Sequence, residues 1–186
     1  MRIISGKLKG KSLNFLKSST TRPLKDSVKE NIFNILEHSN LINLKIDKAN
    51  ILDLYSGIGS FGLECISRGA KKVTFVERDK NALTTLKENL IKLSIINQVE
   101  IHSNEIENIL NKKVEEKYNI FCLDPPFSDK EFIQNLYLIK IKKIFERKNI
   151  VIIHREKSSN DILNNSIKTL IVKYYGRSKL IFGTFN

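Results

Sequence analysis

Two rhythms of apolar and polar positions run along this chain. Residues 1–16 alternate short apolar and basic stretches around Gly6 and Gly10, which predicts a small β-ribbon turned at a Gly-Lys pair. A polar stretch, Ser18 to Arg22, ends at Pro23. Val28, Ile32, Phe33, Ile35 and Leu36 then recur at helical spacing, predicting a helix over 26–38 capped by Asp26 or Ser27. Beyond a short linker the rhythm becomes strand, helix, strand. Strands are predicted over 50–54, 72–77, 99–102, 119–123 and 149–154, with helices over 60–67, 80–92, 105–110 and 132–145 between them. Two last strands, 167–175 and 179–185, turn near Gly176. Continuous apolar strands joined by helical crossovers belong to a doubly wound, mostly parallel sheet, and the last pair fits an antiparallel hairpin at its edge. The expected division is an N-terminal ribbon and helix over 1–40 and an α/β domain over 41–186.

Composition narrows the class. The 186 residues are 41% hydrophobic with 8 Gly and 3 Pro, which excludes disordered and collagen-like chains. No apolar run approaches the roughly 18 residues of a membrane span, and the start has no apolar core of a secretory signal. Cys65 and Cys122, each among apolar neighbours, fit neither a disulfide framework nor a Cys-rich metal site. A cytoplasmic protein without a metal, and a monomer, is expected.

Charge adds a partner. The formal net charge is +12, but it is uneven. Residues 1–30 hold eight Lys or Arg against two acids, and 140–186 hold eleven against three, whereas 51–139 hold eleven against thirteen. Basic ends around a slightly acidic middle point to a polyanion-binding surface made by the two ends.

The acidic middle carries the candidate chemistry. Asp53-Leu-Tyr-Ser-Gly57-Ile-Gly59-Ser-Phe-Gly62 follows the first sheet strand and leads into a helix, at the strand edge where open α/β sheets bind ligands. The next strand ends in Glu77, placed to accept hydrogen bonds from both ribose hydroxyls of an adenosine-type cofactor. Asp53 would repel a pyrophosphate but suits a cation, and the helix after the glycines has no Lys in its first turn. Both features favour S-adenosylmethionine over NAD. Asp124-Pro125-Pro126-Phe127 follows another apolar strand and so shares that edge. Consecutive prolines fix φ and remove backbone donors. The turn is therefore stiff, presenting the Asp124 carboxylate and Pro125 carbonyl as acceptors. Two fixed acceptors hold the hydrogens of a flat exocyclic amine and free its lone pair for attack on a methyl group. Phe127 is placed to stack on the base.

These motifs together resemble the RsmD family of bacterial 16S ribosomal RNA guanine-N2 methyltransferases over nearly the whole chain. The resemblance rests on Arg2-Ile-Ile-Ser-Gly6, Lys9-Gly-Lys11, Thr21-Arg22-Pro23, Asp26 to Glu30, Phe33-Asn34, Asp53 to Glu64, Ser67-Arg-Gly-Ala70, Phe75 to Asp79 and Asp124 to Phe127. It implies a Rossmann-like class I methyltransferase with a seven-stranded sheet, acting on 16S rRNA or a partly assembled small subunit. Asp53, Tyr55, Gly57, Gly59, Glu77, Arg78 and Asn104 would line the cofactor, with Glu105 the alternative to Asn104 at the adenine. Asp124, Pro125 and Phe127 would handle the guanine. Arg2, Lys7, Lys9, Lys11, Arg22, His154 and Arg155 would contact the RNA. Ile58 departs from the family pattern, where a small polar residue is usual. The rival expectations are an adenine-N6 DNA methyltransferase, a non-catalytic RNA-binding assembly factor and, weakest, an NAD-dependent oxidoreductase.

Overall fold

The computed structural model describes residues 1–16, 24–110 and 116–186, except the side chain of Asn108. Arg22, the rest of the polar stretch from Ser18, and Pro23 lie outside the described residues. The elements run α1 (Asp26–His38), β1 (Asn50–Leu54), α2 (Ser60–Ser67), β2 (Lys72–Val76), α3 (Lys80–Leu93), β3 (Val99–His102), α4 (Ile106–Leu110), β4 (Tyr118–Leu123), α5 (Glu131–Lys142), β5 (Phe145–Glu156), β6 (Lys168–Tyr175) and β7 (Ser178–Thr184), with a short 3-10 turn at Ile96–Gln98. The strands form one sheet in the order β3-β2-β1-β4-β5-β7-β6. β1 to β5 pair in parallel, while β7 runs antiparallel to both β5 and β6.

Both faces of this sheet are covered, which is why its strands read as unbroken apolar runs. On one face Ile51, Val73, Phe75, Ile120, Ile150 and Phe182 pack with α1, α2, α3 and the N-terminal residues Ile3 and Leu13. On the other, Leu52, Leu54, Phe121, Leu123, Val151 and Ile153 pack with α4 and with Phe132, Leu136 and Ile139 of α5. The division at residue 40 therefore follows the chain and not a break in packing.

Two expectations need correction, and the expected N-terminal ribbon is present only in short form. The N-terminal ribbon is a single antiparallel bridge, Arg2 to Ser12, with turns between. Its arms are joined by Ile3 N–H to the Lys11 carbonyl (2.9 Å), Gly10 N–H to the Ile3 carbonyl (2.9 Å) and Leu13 N–H to the Met1 carbonyl (3.0 Å), and the residues between dock on α2: Ile4 and Ser5 N–H donate to Glu64 at 2.7 and 2.9 Å, and Lys7 N–H donates to the Ser67 carbonyl at 2.8 Å. Helix α1 begins after Lys25 with no side-chain cap, and Asp26 lies in its first turn, 3.5 Å from the Lys29 ammonium. Residues 145–148, predicted as a helix end and linker, belong to β5, because Phe145 pairs with Tyr118 across an irregularity in the β4–β5 register.

Candidate active site

The carboxyl ends of β1, β2, β4 and β5 open onto a cleft of about 720 Å³. After β1 the chain turns through Tyr55 at φ 59°, Gly57 at φ 54° and Gly59 at φ 83° before α2 begins. Gly59 faces inward and not the cleft. A Cβ built on it would lie 2.4 Å from Leu86 Cδ1, and its φ is one that L side chains rarely adopt. The loop is held from behind by Asn89 of α3, whose side-chain amide donates to the Ile58 carbonyl at 3.3 Å. Ile58 is itself buried on the cleft wall.

The cleft is lined by acids, among them Asp53, Glu77 and Asp124. Asp53 is buried, and one of its oxygens accepts the Gly62 N–H at 3.0 Å. Burial pushes its pKa up to about 8, with Asp124 and Glu77 adding repulsion against the relief from the Gly62 bond. Glu77 turns both oxygens to the backbone. It accepts from Gly57 N–H at 2.7 Å, Arg78 N–H at 2.9 Å and Asp79 N–H at 2.8 Å. A carboxylate offers about four lone-pair positions, so Glu77 has room for one further hydroxyl where the motif alone implied two. An acidic cleft in a basic chain, with one acid buried and short of a cation, suits a positively charged small ligand.

The second loop curls around Arg155. This arginine is fully buried, and its guanidinium donates to the carbonyls of Pro126 (3.0 Å), Phe127 (3.1 Å) and Asp129 (3.1 Å) and to Asp161 (3.0 Å). It also lies 4.5 Å over the Phe132 ring. Asp129 in turn accepts the N–H groups of Glu131 and Phe132, starting α5. The assignment of Arg155 to RNA contact is thereby corrected, since its donors are spent inside the protein. Its work is to set the shape of the Asp124–Phe127 turn. The Pro125 carbonyl is not among those it takes. His154, the residue before it, places Nδ1 2.8 Å from Asp124 Oδ1.

Of the residues singled out by sequence, Asp53, Tyr55, Gly57, Glu77, Arg78, Asn104, Asp124, Pro125, Phe127 and His154 all line this one cleft. Glu105 lines it too and pairs with Arg78 at 3.1 Å, so it enters the cleft already partnered while Asn104 does not carry that ion pair. Gly59 and Arg155 support the walls from behind. Arg2, Lys7, Lys9 and Lys11 are exposed, away from the cleft. Sequence reasoning passed over Asn135 of α5, which donates to the Tyr55 hydroxyl at 3.1 Å and ties α5 to the cofactor loop. A polar residue on the buried face of a helical pattern was its only signal.

The 3-2-1-4-5-7-6 sheet, with its cleft between a glycine loop after β1 and an Asp-Pro-Pro-Phe turn after β4, defines a class I methyltransferase. The chain belongs to the family described as Conserved hypothetical protein 95, which matches residues 1–184. It is 31% identical over 185 residues to ribosomal RNA small subunit methyltransferase D of Buchnera aphidicola, covering all of this chain and 91% of that one. Among solved structures it resembles yhhF of Escherichia coli (TM-score 0.81, 25% identity, 98% of this chain and 96% of that one) and HI0767 of Haemophilus influenzae (TM-score 0.79, 28% identity, 99% and 97%).

Proposed function

We propose that this chain transfers a methyl group from S-adenosylmethionine to the exocyclic N2 amine of a guanine in 16S ribosomal RNA, in the bacterial cytoplasm as the small subunit assembles. The observation that carries the proposal is the Asp124–Phe127 turn, locked by Arg155 and facing the same cleft as Asp53 and Glu77.

The cleft fits the cofactor on its own chemistry. S-adenosylmethionine supplies an electrophilic methyl group on a sulfonium centre. Asp53, buried and held near pKa 8, gains a compensating positive charge when a cation enters. Glu77 keeps one lone-pair position for a ribose hydroxyl, and Asn104 offers an amide carbonyl to the adenine amine. The glycine loop lets backbone come close to the ligand.

For the substrate, Asp124 and the Pro125 carbonyl accept the two hydrogens of the amine. The nitrogen then becomes pyramidal and turns its lone pair away from the ring. Phe127 stacks on the base, which must leave its helix to reach the cleft. The exposed lysines at 7, 9 and 11 hold phosphates outside the cleft. No general base is needed for attack, and the released proton leaves after the new bond forms.

The test is transfer of labelled methyl from S-adenosylmethionine to 16S rRNA, naked or in partly assembled subunits, followed by nucleoside analysis. Label in N2-methylguanosine is expected. Label in N6-methyladenine, or no transfer to either substrate, would overturn the proposal.

A further inference from the structure

The contact between His154 and Asp124 has a consequence for the chemistry. β4 and β5 are parallel neighbours whose register ends with Leu123 beside Ile153. The next residues, Asp124 just past β4 and His154 on β5, thus emerge at the same level of the sheet edge. Nδ1 of the imidazole and Oδ1 of the carboxylate stand 2.8 Å apart, with the side chains 7% and 24% exposed. The other ring nitrogen, Nε2, is buried and has no hydrogen-bond partner among the described residues. The Phe127 ring meets the imidazole edge-on at 5.9 Å between centroids.

These facts select one tautomer. An ionised carboxylate only accepts, so the nitrogen facing it carries the hydrogen. Nε2 has no acceptor among the described residues to receive a hydrogen, so the hydrogen sits on Nδ1, facing Asp124. The tautomer of a histidine is set by the bond that one nitrogen makes, and here that bond is to Asp124.

We infer that His154 is a positioning residue for methyl transfer: its Nδ1–H engages Oδ1 of Asp124, fixing the carboxylate plane and leaving Oδ2 for the guanine amine. This inference rests on the function proposed above. It assigns His154 a role through Asp124 in place of the RNA contact expected from the sequence. Arg155 offers no help at Asp124, because its guanidinium is turned to the loop carbonyls, and the residue paired with His154 on β7 is Leu180.

The side-chain amides of Asn and Gln separate this role from simple filling of space. Asn places an N–H near the position of Nδ1, whereas Gln places one near Nε2. His154→Phe is expected to lower kcat about tenfold, the worth of roughly one hydrogen bond, with KM for RNA and affinity for S-adenosylhomocysteine little changed. His154→Asn should recover most of that loss and His154→Gln should not. Independently of turnover, nitrogen-15 NMR of labelled protein should show His154 protonated on Nδ1 and bare on Nε2, a signature lost in Asp124→Ala. Wild-type kcat in His154→Phe, equal rates in the Asn and Gln variants, or an Nε2–H tautomer each overturns the inference. Failure of the wild-type protein to methylate guanine instead overturns the function on which it rests, and the NMR signature still reports on the contact.

Discussion

Asp53 and Asp124 stand at the same sheet edge but have opposite tasks. Asp53 is sealed in and its pKa is raised to about 8, chiefly by burial. Its unfolded value is near 3.9. The stability it contributes is present below that value and is lost as pH rises towards 8, because the unfolded chain ionises first. Asp53→Asn should therefore stabilise the free protein at pH 8 by about 2 kcal/mol, a fraction of the full shift at 1.36 kcal/mol per unit, and flatten the pH dependence of urea unfolding. The same variant should bind S-adenosylmethionine more weakly in calorimetry. A variant no more stable than wild type at pH 8 contradicts this origin of the shift. Asp124 is half-open to the cleft, and its loss should be felt by catalysis. Asp124→Ala is expected to keep cofactor affinity and lose at least about 100-fold in kcat, as when a positioned polar group is removed from a transition state. Near-normal turnover would remove it from the site. At this scale the acids and glycines were legible because each follows an apolar strand. Arg155 was not. A basic residue late in a basic segment looks like surface, and only the fold brings Asp161 and three carbonyls around it.

Elements were legible wherever one periodicity ran uninterrupted. The predicted bounds of α1, β1, α2 and β3 coincide with those observed, since Val28, Ile32, Phe33 and Leu36, or Ile51 to Leu54, leave no second choice of face. The exception at 145–148 has a physical reason. Glu146, Arg147 and Lys148 are exposed and lie in the register irregularity between the Tyr118–Phe145 and Ile120–Ile150 pairs, so no alternation marks them as strand. The N-terminal segment pairs with itself only briefly, between residues 1–3 and 10–13, and α2 supplies acceptors to the residues between. Glu64, fully buried, accepts from Ile4 and Ser5 N–H and from Arg68 Nε at 2.9 Å, and lies 3.9 Å from the buried Lys29 ammonium. Burial lowers the Lys29 pKa while Glu64 and Asp26 oppose the shift. Lys29 also donates to the Arg2 carbonyl at 2.8 Å and the Ser60 hydroxyl at 3.3 Å, so one cluster ties residues 2–5, α1 and the start of α2 together. Gly6 completes the fit, because a Cβ there would lie 1.9 Å from the Ser67 carbonyl oxygen. Glu64→Ala should destabilise the protein by about 3 kcal/mol, because it leaves the Ile4 and Ser5 N–H groups without their acceptor and takes away an acid partner of Arg68 and one of the acids beside Lys29. Urea unfolding checks this, and an unchanged midpoint would mean the cluster is not what docks the N-terminus.

At the scale of the molecule, charge divides the labour. Lys7, Lys9 and Lys11 are exposed on the docked N-terminal segment, outside a cleft ringed by Asp53, Glu77 and Asp124. Reversing these three lysines should weaken RNA binding and lower the slope of log K against log salt by about 2, at roughly 0.7 per single-strand phosphate. An unchanged slope would mean that they only solvate the surface. No helix among the described residues is long and apolar enough to cross a membrane. The topology was readable as a class, a parallel sheet with an antiparallel end, because strand and helix rhythms alternate through the middle of the chain. The attachment of residues 1–16 to the sheet's own core was not, since it depends on Glu64, Ser67 and Asn89, polar residues that look solvent-facing until they find backbone partners.

The central claim, that this cleft methylates the N2 amine of a guanine in 16S rRNA, is tested most directly by mass spectrometry of nucleosides from ribosomal RNA of cells with and without the gene. One N2-methylguanosine should disappear on deletion, return with the wild-type gene and stay absent with Asp124→Ala. An unchanged set of 16S nucleosides, or loss of a methylated adenine instead, would contradict it.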